Sequence, residues 1–299
     1  MCSTHTSAIL RLPVVVLQSC RILSGSLKPP AEAHFTLWQL PAQTRTQMMC
    51  YVLKTSHDRV IVIDGGTRGD ALNLREFLAA LGNRIHTWFI THPHSDHVAA
   101  LSAILEDPGA MRIDGIYGVL PEDAWIVKHE PERLEDTRSF RAALERSSRS
   151  CEPLQVGQVL AIDGVRIEVL SANNPGITRN AVNNSSMVIR VSDARKSVLF
   201  TGDLGVEGGE KLLAGPFGES LHADYVQMAH HGQSGCDESF YRAVKPDYCL
   251  WPTPRWLWDN DSGGGKGSGP WKTLEVRGWM ENLGVLRNCV SANGCCRVD

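Results

Sequence analysis

The sequence predicts an α/β fold of two mixed sheets packed face to face, with helices on the outer sides. Two observations carry this prediction. A block of apolar, strand-like segments opens the chain and βα alternation follows; strands and then βα units come a second time. Apolar residues make up 42% and charged residues 21% of the 299 residues, which suits a soluble chain able to bury one large core.

Taken in order, residues 34–40 alternate weakly and read as a first strand. Segments 48–54 and 59–64 are rich in β-branched and apolar residues and read as the next two, stopped by the turn Asp64-Gly65-Gly66. Residues 71–81 carry Leu72, Leu74, Phe77, Leu78 and Leu81 near helical spacing, and Gly82 follows as a C-cap glycine would. An apolar strand over 85–91 runs straight into His92. A helix is expected over 98–105, ended by Asp107-Pro108-Gly109, then a strand over 112–120 and a surface helix over 136–148. Segments 159–162 and 165–170, split by Asp163-Gly164, make a hairpin. Strands are expected at 186–191, 197–200, 225–229, 248–251 and 288–292, with a helix over 271–283. The glycine-rich stretch 262–270 reads as a surface loop, since it lacks the spacing of a phosphate-cradling loop.

Residues 1–32 read as an N-terminal extension or a signal segment, and 33–299 as the folded domain. The apolar stretch 9–17 is broken by Arg11 and Pro13 and precedes Cys20, but no positively charged leader comes before it. No segment approaches the roughly 20 apolar residues of a membrane-spanning helix. A cytoplasmic location is therefore expected, with secretion or lipid anchoring as the alternatives. Nine cysteines without a C-x-x-C pair read as reduced thiols. A net charge of -3 excludes a global attraction for nucleic acid or anionic membrane.

The chemistry concentrates in Thr91-His92-Pro93-His94-Ser95-Asp96-His97, where three imidazoles and a carboxylate follow an apolar strand. Such a donor set suits zinc, iron or manganese. His92 and His94, at alternate positions, can reach one ion together, while Asp96 and His97 fall toward a second. Asp203 leaves a buried strand through Thr201-Gly202 and is placed to bridge two cations. His230-His231-Gly232 ends another strand, so five of the eleven histidines lie in two strand-end clusters.

The pattern H-x-H-x-D-H at 92–97 resembles the signature of the metallo-β-lactamase superfamily. With Asp64-Gly65-Gly66, Asn183-Asn184-Ser185-Ser186, Thr201-Gly202-Asp203 and His230-His231-Gly232, the set is similar to the metallo-β-lactamase domain of ComEC-like competence proteins, and to phosphorylcholine esterases of that branch. The resemblance implies an αββα sandwich with a two-metal site, Zn2+ being expected and Mn2+ or Fe being alternatives. Carried over residue by residue, His92 and His94 hold the first ion, Asp96, His97 and His230 the second, and Asp203 bridges them. His231 is then a neighbour of the ligands or a substrate contact; the exchange of His230 and His231 is the alternative. Asp64 supports the site. Asp96, His231 and Asn184 are the residues expected to act on substrate. Many members place another histidine where this chain has Asn183 to Ser186, so Asn183-Asn184 reads either as a weak ligand or as an ordinary turn.

Two cations sharing a water would lower its pKa, making hydroxide the expected nucleophile. The expected activity is hydrolysis of a phosphodiester or related phosphate ester, on a small-molecule or nucleotide-like substrate. Nucleic acid is not favoured as partner. Carboxyl-ester, lactone or thioester hydrolysis is the alternative, and a non-catalytic metal-binding module the third reading. Arg133, Arg138, Arg141, Arg146 and Arg149 could contact phosphates, but interleaved acidic residues make a salt-laced helix face the better reading. Trp251, Trp256, Trp258 and Trp271 read either as core and loop anchors or as an aromatic wall beside the site.

Overall fold

Strands buried on both faces read as near-continuous apolar runs, and the two central sheets are built from such runs. The computed structural model describes residues 32–299; nearly all of the expected N-terminal extension lies outside them. In chain order the elements are β1 (Phe35–Gln39), β2 (Cys50–Thr55), β3 (Val60–Asp64), α1 (Ala71–Ala80), β4 (Arg84–Ile90), α2 (Ser95–Glu106), β5 (Arg112–Gly118), α3 (Asp123–His129) and α4 (Leu134–Arg146). The second half comprises β6 (Val159–Ile162), β7 (Val165–Ser171), α5 (Ala181–Asn184), β8 (Val188–Ser192), β9 (Ser197–Phe200), α6 (Val206–Ala214), β10 (Tyr225–Gln227), α7 (Glu238–Val244), β11 (Tyr248–Trp251), α8 (Arg255–Trp258), α9 (Thr273–Asn282), β12 (Arg287–Val290) and β13 (Cys296–Val298).

One mixed sheet runs β13-β1-β2-β3-β4-β5 and the other β12-β11-β10-β9-β8-β7-β6. Alternation within each strand sorts the side chains into three apolar layers. Tyr51, Leu53, Ile61 and Ile63 meet Ile167, Ile189, Val198 and Phe200 between the sheets. Val52, Val62 and Trp88 point outward against Leu74, Leu101 and Phe140 of the helices on that side. Leu199, Val226 and Trp251 do the same against Leu212, Phe240 and Met280. This is the αββα sandwich expected, with no helix among the described residues long and apolar enough to cross a membrane.

The hairpin between β6 and β7 turns at Asp163 (φ 50°) and Gly164 (φ 82°), the left-handed pair that a two-residue loop needs to match strand twist. Helix α2 starts three residues earlier than expected, because the His94 carbonyl accepts from the amides of His97 and Val98. The short helices α3, α5, α6, α7 and α8 and the strand β13 were not expected. In α6, Gly208 and Gly209 weaken the helical signal, yet they allow close packing: a Cβ at Gly208 would lie 2.4 Å from Leu204 Cδ1. The stretch 262–269 is a loop organised on the Asp261 carboxylate and the Ser268 hydroxyl. All seven cysteines among the described residues are unpaired thiols.

On the outer face of the second sheet, Glu168 lies opposite Arg190 across the β7–β8 ladder. Its carboxylate accepts from Arg166 at 2.8 Å and from Arg190 at 2.8 and 3.0 Å. Burial pushes this carboxyl up, but the two guanidinium groups outweigh it and hold it below the usual range. Glu168→Gln should lower stability at pH 7 by about 1–2 kcal/mol. A depressed folded pKa contributes above the unfolded value of 4.5 and is lost as pH falls through the folded one. Urea titrations at pH 7 and 3.5 should therefore show the gap closing in acid; a gap that persists unchanged would rule out the ionic origin.

Candidate metal centre

Four loops at strand ends build the site. β3 ends at Asp64 (φ 56°), a left-handed residue followed by Gly66 (φ 90°), where a Cβ would lie 2.9 Å from Met48 Cε. β4 delivers Thr91 to His94, and the first turn of α2 delivers Asp96 and His97. β9 delivers Asp203 through Gly202 (φ 55°), whose missing side chain would sit 2.8 Å from Thr91 Cβ. That close approach seats the strand-end loops of the two sheets against each other. Gln227 locks it: its Oε1 accepts from the amides of Thr201 and Gly202 at 2.7 Å each, and its Nε2 donates to the Gly202 carbonyl. Beyond β10, His230 (φ 51°) and His231 (φ 56°) are both left-handed, a strained pair of the kind that marks functional loops.

The donors fall into two overlapping groups, His92, His94 and Asp203, and Asp96, His97, Asp203 and His231. Within each group one ligand atom per residue lies within 4.8 Å of the others. Asp203 is common to both. Its Oδ1 is 3.3 Å from His97 Nε2, and its Oδ2 is 3.6 Å from His231 Nε2 and 3.9 Å from His92 Nε2. Asp96 Oδ2 stands 3.2 Å from His231 Nε2. The Nε2 atoms of His92, His94, His97 and His231 are buried without an aligned hydrogen bond, as is Asp203 Oδ1. Buried polar atoms normally find partners, so this convergence of orphaned lone pairs fits a cation.

The outer ring nitrogens are held. His97 Nδ1 lies 2.8 Å from Asp64 Oδ2, which also accepts from Thr91 Oγ1, while Asp64 Oδ1 accepts from the Thr91 amide. His231 Nδ1 donates to the Pro252 carbonyl at 3.0 Å. His92 Nδ1 lies 3.3 Å from Ser186 Oγ and 3.2 Å from Thr91 Oγ1. Fixing Nδ1 leaves Nε2 as the ligating atom. Burial pushes His92 well down and His94 to about 3, so both remain neutral donors. Burial also disfavours charge on His97 and His231, yet Asp203, with Asp64 for the former and Asp96 for the latter, raises both. Asp203 itself is held well below the carboxylate range, the positive character of His231 and His97 outweighing its burial. The centre thus attracts positive charge around Asp203 while keeping His92 and His94 neutral.

His92, His94, Asp96, His97 and Asp203 lie together at the strand ends, and Asp64 anchors them. Two side chains are placed differently from the main expectation, the first of them as its stated alternative had it. His231, not His230, joins the second donor group: its ring is fully buried and tied to Pro252, whereas His230 is 20% exposed at the rim, 3.7 Å from Asp203 Oδ2, with Nδ1 near the Ser234 carbonyl. Consecutive left-handed residues send their side chains different ways, which a His-His-Gly string does not disclose. Asn184 does not face the centre: its Oδ1 accepts from the amides of Gly205 and Gly208, and its Nδ2 donates to the Arg179 carbonyl, pinning the start of α6.

Gln47 and Gln233 carried no sequence signal. Gln47 Nε2 donates to Asp96 Oδ2 at 3.1 Å, and Gln233 Nε2 donates to Gln47 Oε1 at 3.1 Å. Ser186 supports both His92 and the Asp203 amide. Among the tryptophans, Trp251 is core, while Trp256 and Trp271 meet with centroids 4.8 Å apart. Trp256 Nε1 donates to the Arg45 carbonyl, bracing the loop that carries Gln47.

Residues 44–113 match the model of the metallo-beta-lactamase superfamily. ComE operon protein 3 of Bacillus subtilis is 27% identical over 172 residues, 57% of this chain and 20% of that protein. Competence protein ComA of Neisseria gonorrhoeae is 25% identical over 225 residues, 74% of this chain and 27% of that one. The chain therefore corresponds to about a quarter or less of these relatives' length. The metallo-beta-lactamase fold protein YhfI from Bacillus subtilis shares the fold, with a TM-score of 0.54 and 16% identity over 88% of this chain and 99% of that one. Strand-end histidines, sheet order and relatives agree: residues 44–113 match the metallo-β-lactamase superfamily, the sheets have that fold, and the competence-protein relatives are consistent with a ComEC-like branch.

Proposed function

We propose that the protein is a metal-dependent hydrolase acting on a phosphodiester or related phosphate ester. The observation that carries this reading is the convergence of four buried, unpartnered imidazole nitrogens on two carboxylates. In it, His92 and His94 with Asp203 would hold one divalent cation, and Asp96, His97 and His231 with Asp203 would hold a second. Imidazole and carboxylate suit Zn2+, and the same donors admit Mn2+ or Fe. Such ions, when bound, supply water activation near neutral pH and offset charge on the attacked oxygen.

The chain's own residues do the positioning. Asp64 orients the His97 ring, the Pro252 carbonyl orients His231, and Gln47 steadies Asp96. His230, at the rim, is the imidazole left to meet substrate. The choice of a phosphate ester rests on the likeness to the competence proteins' domain; a small-molecule or nucleotide-like substrate is favoured over nucleic acid by the net charge of -3.

Protein purified without added metal should carry at least one transition metal per chain, approaching two, by elemental analysis; less than one would sink the two-ion reading. His231→Ala should lose most of that metal and His230→Ala little of it, and the reverse order would restore the expectation from sequence. Asp64→Ala should cost about ten- to a hundredfold in metal affinity. Asp203→Asn should abolish turnover of bis-p-nitrophenyl phosphate. Lactone and thioester substrates measured beside it separate the phosphoesterase from the ester hydrolase, preference for the latter overturning the substrate assignment.

A further inference from the structure

The five arginines between 133 and 149 divide sharply. Arg138 donates to Asp123 at 2.7 Å, Arg141 bonds Asp123 and the Pro121 carbonyl, Arg146 donates to Glu106 at 3.0 Å, and Arg149 donates to the Ile113 carbonyl at 2.7 Å. Three of those four pair with carboxylates of other helices, and Arg149 is spent on a backbone carbonyl. Arg133 does not belong with them. Its nearest carboxylates, Glu130 at 3.9 Å and Asp136 at 3.8 Å, stand beyond hydrogen-bond reach, and its Nε is buried with no hydrogen-bond partner.

Both flanking carboxylates are already engaged, and their partners locate Arg133. Glu130 accepts from the Val182 amide at 2.7 Å, in the turn that also carries Asn183, whose Oδ1 is buried and unpartnered. Asp136 is hydrogen-bonded to Ser95, the residue between His94 and Asp96. Arg133 is therefore held between the two segments that border the first donor group, with its side chain 44% exposed. Its charge is felt at His94, adding to burial in keeping that ring neutral.

We propose that Arg133 is the substrate-anion contact of the centre, its guanidinium binding a non-bridging phosphoryl oxygen on the His94 side of the donor cluster. This rests on the phosphate-ester reading. A guanidinium presents planar paired donors that match phosphate, so one beside the centre with its Nε unpartnered is a ready receptor. Its neighbours hold it in place without consuming its donors.

Inorganic phosphate, titrated into the metal-loaded full chain by calorimetry, is the direct probe. Arg133→Ala should bind it about tenfold more weakly with unchanged metal content, while Arg138→Ala, which loses only the Asp123 pair, should bind as the wild type does. In kinetics, Arg133→Ala should lower kcat/KM for the anionic bis-p-nitrophenyl phosphate about tenfold, and leave the neutral tris-p-nitrophenyl phosphate unchanged. Equal phosphate affinity in Arg133→Ala and wild type, no phosphate binding by the wild type, or an equal loss on both esters would overturn the assignment. Failure of the phosphoesterase reading is distinguishable, because it appears as absent hydrolysis by the wild type, while phosphate affinity still decides the role of Arg133.

Discussion

Four imidazoles and the Asp203 carboxylate are kept out of water at the junction of the two sheets, with the part-buried Asp96 beside them and their lone pairs aimed at one another. Each unmet buried donor or acceptor costs on the order of 1–3 kcal/mol, so this arrangement persists only because the surrounding structure over-determines it. Asp64 does most of that by accepting three hydrogen bonds, from the Thr91 amide, the Thr91 hydroxyl and the His97 ring, while itself strained at φ 56°. On the facing sheet Gln227 plays the matching part for Asp203. Gly202, lying against Thr91, is where the two supports touch.

The candidate metal-binding string at 92–97 was legible because four good ligands within six residues at the end of an apolar strand have few other uses. The sandwich was legible for a related reason: strands buried on both faces leave unbroken apolar runs. What the residues concealed depends on backbone direction or on distant partners. Whether His230 or His231 points inward is decided by two left-handed torsion pairs and by Pro252, twenty-one residues away. Asn184 carries the same side chain as a ligand would, but the amides of Gly205 and Gly208 claim it. Gln47 and Gln233 are single polar residues without a motif, visible only when three loops meet. The strand β13 is three residues long, too short for any period to register.

Charge is distributed with the same economy. Carboxylates beside His97 and His231 favour positive charge at one end of the centre, while burial holds His92 and His94 neutral at the other. Most surface arginines nearby are neutralised by dedicated partners. Paired arginines therefore surround a centre whose local charge is set by its own geometry.

The pairing of β13 with β1 has a topological consequence. Leu37 stands opposite Val298 and Gln39 opposite Cys296, so the first and last strands of the described domain are antiparallel neighbours. The polypeptide enters and leaves this fold along one sheet edge, far from the strand-end loops in sequence. A domain with adjoining entry and exit can be spliced into a longer chain, or reopened in the exposed 262–269 loop, while every ladder that frames the histidines stays intact.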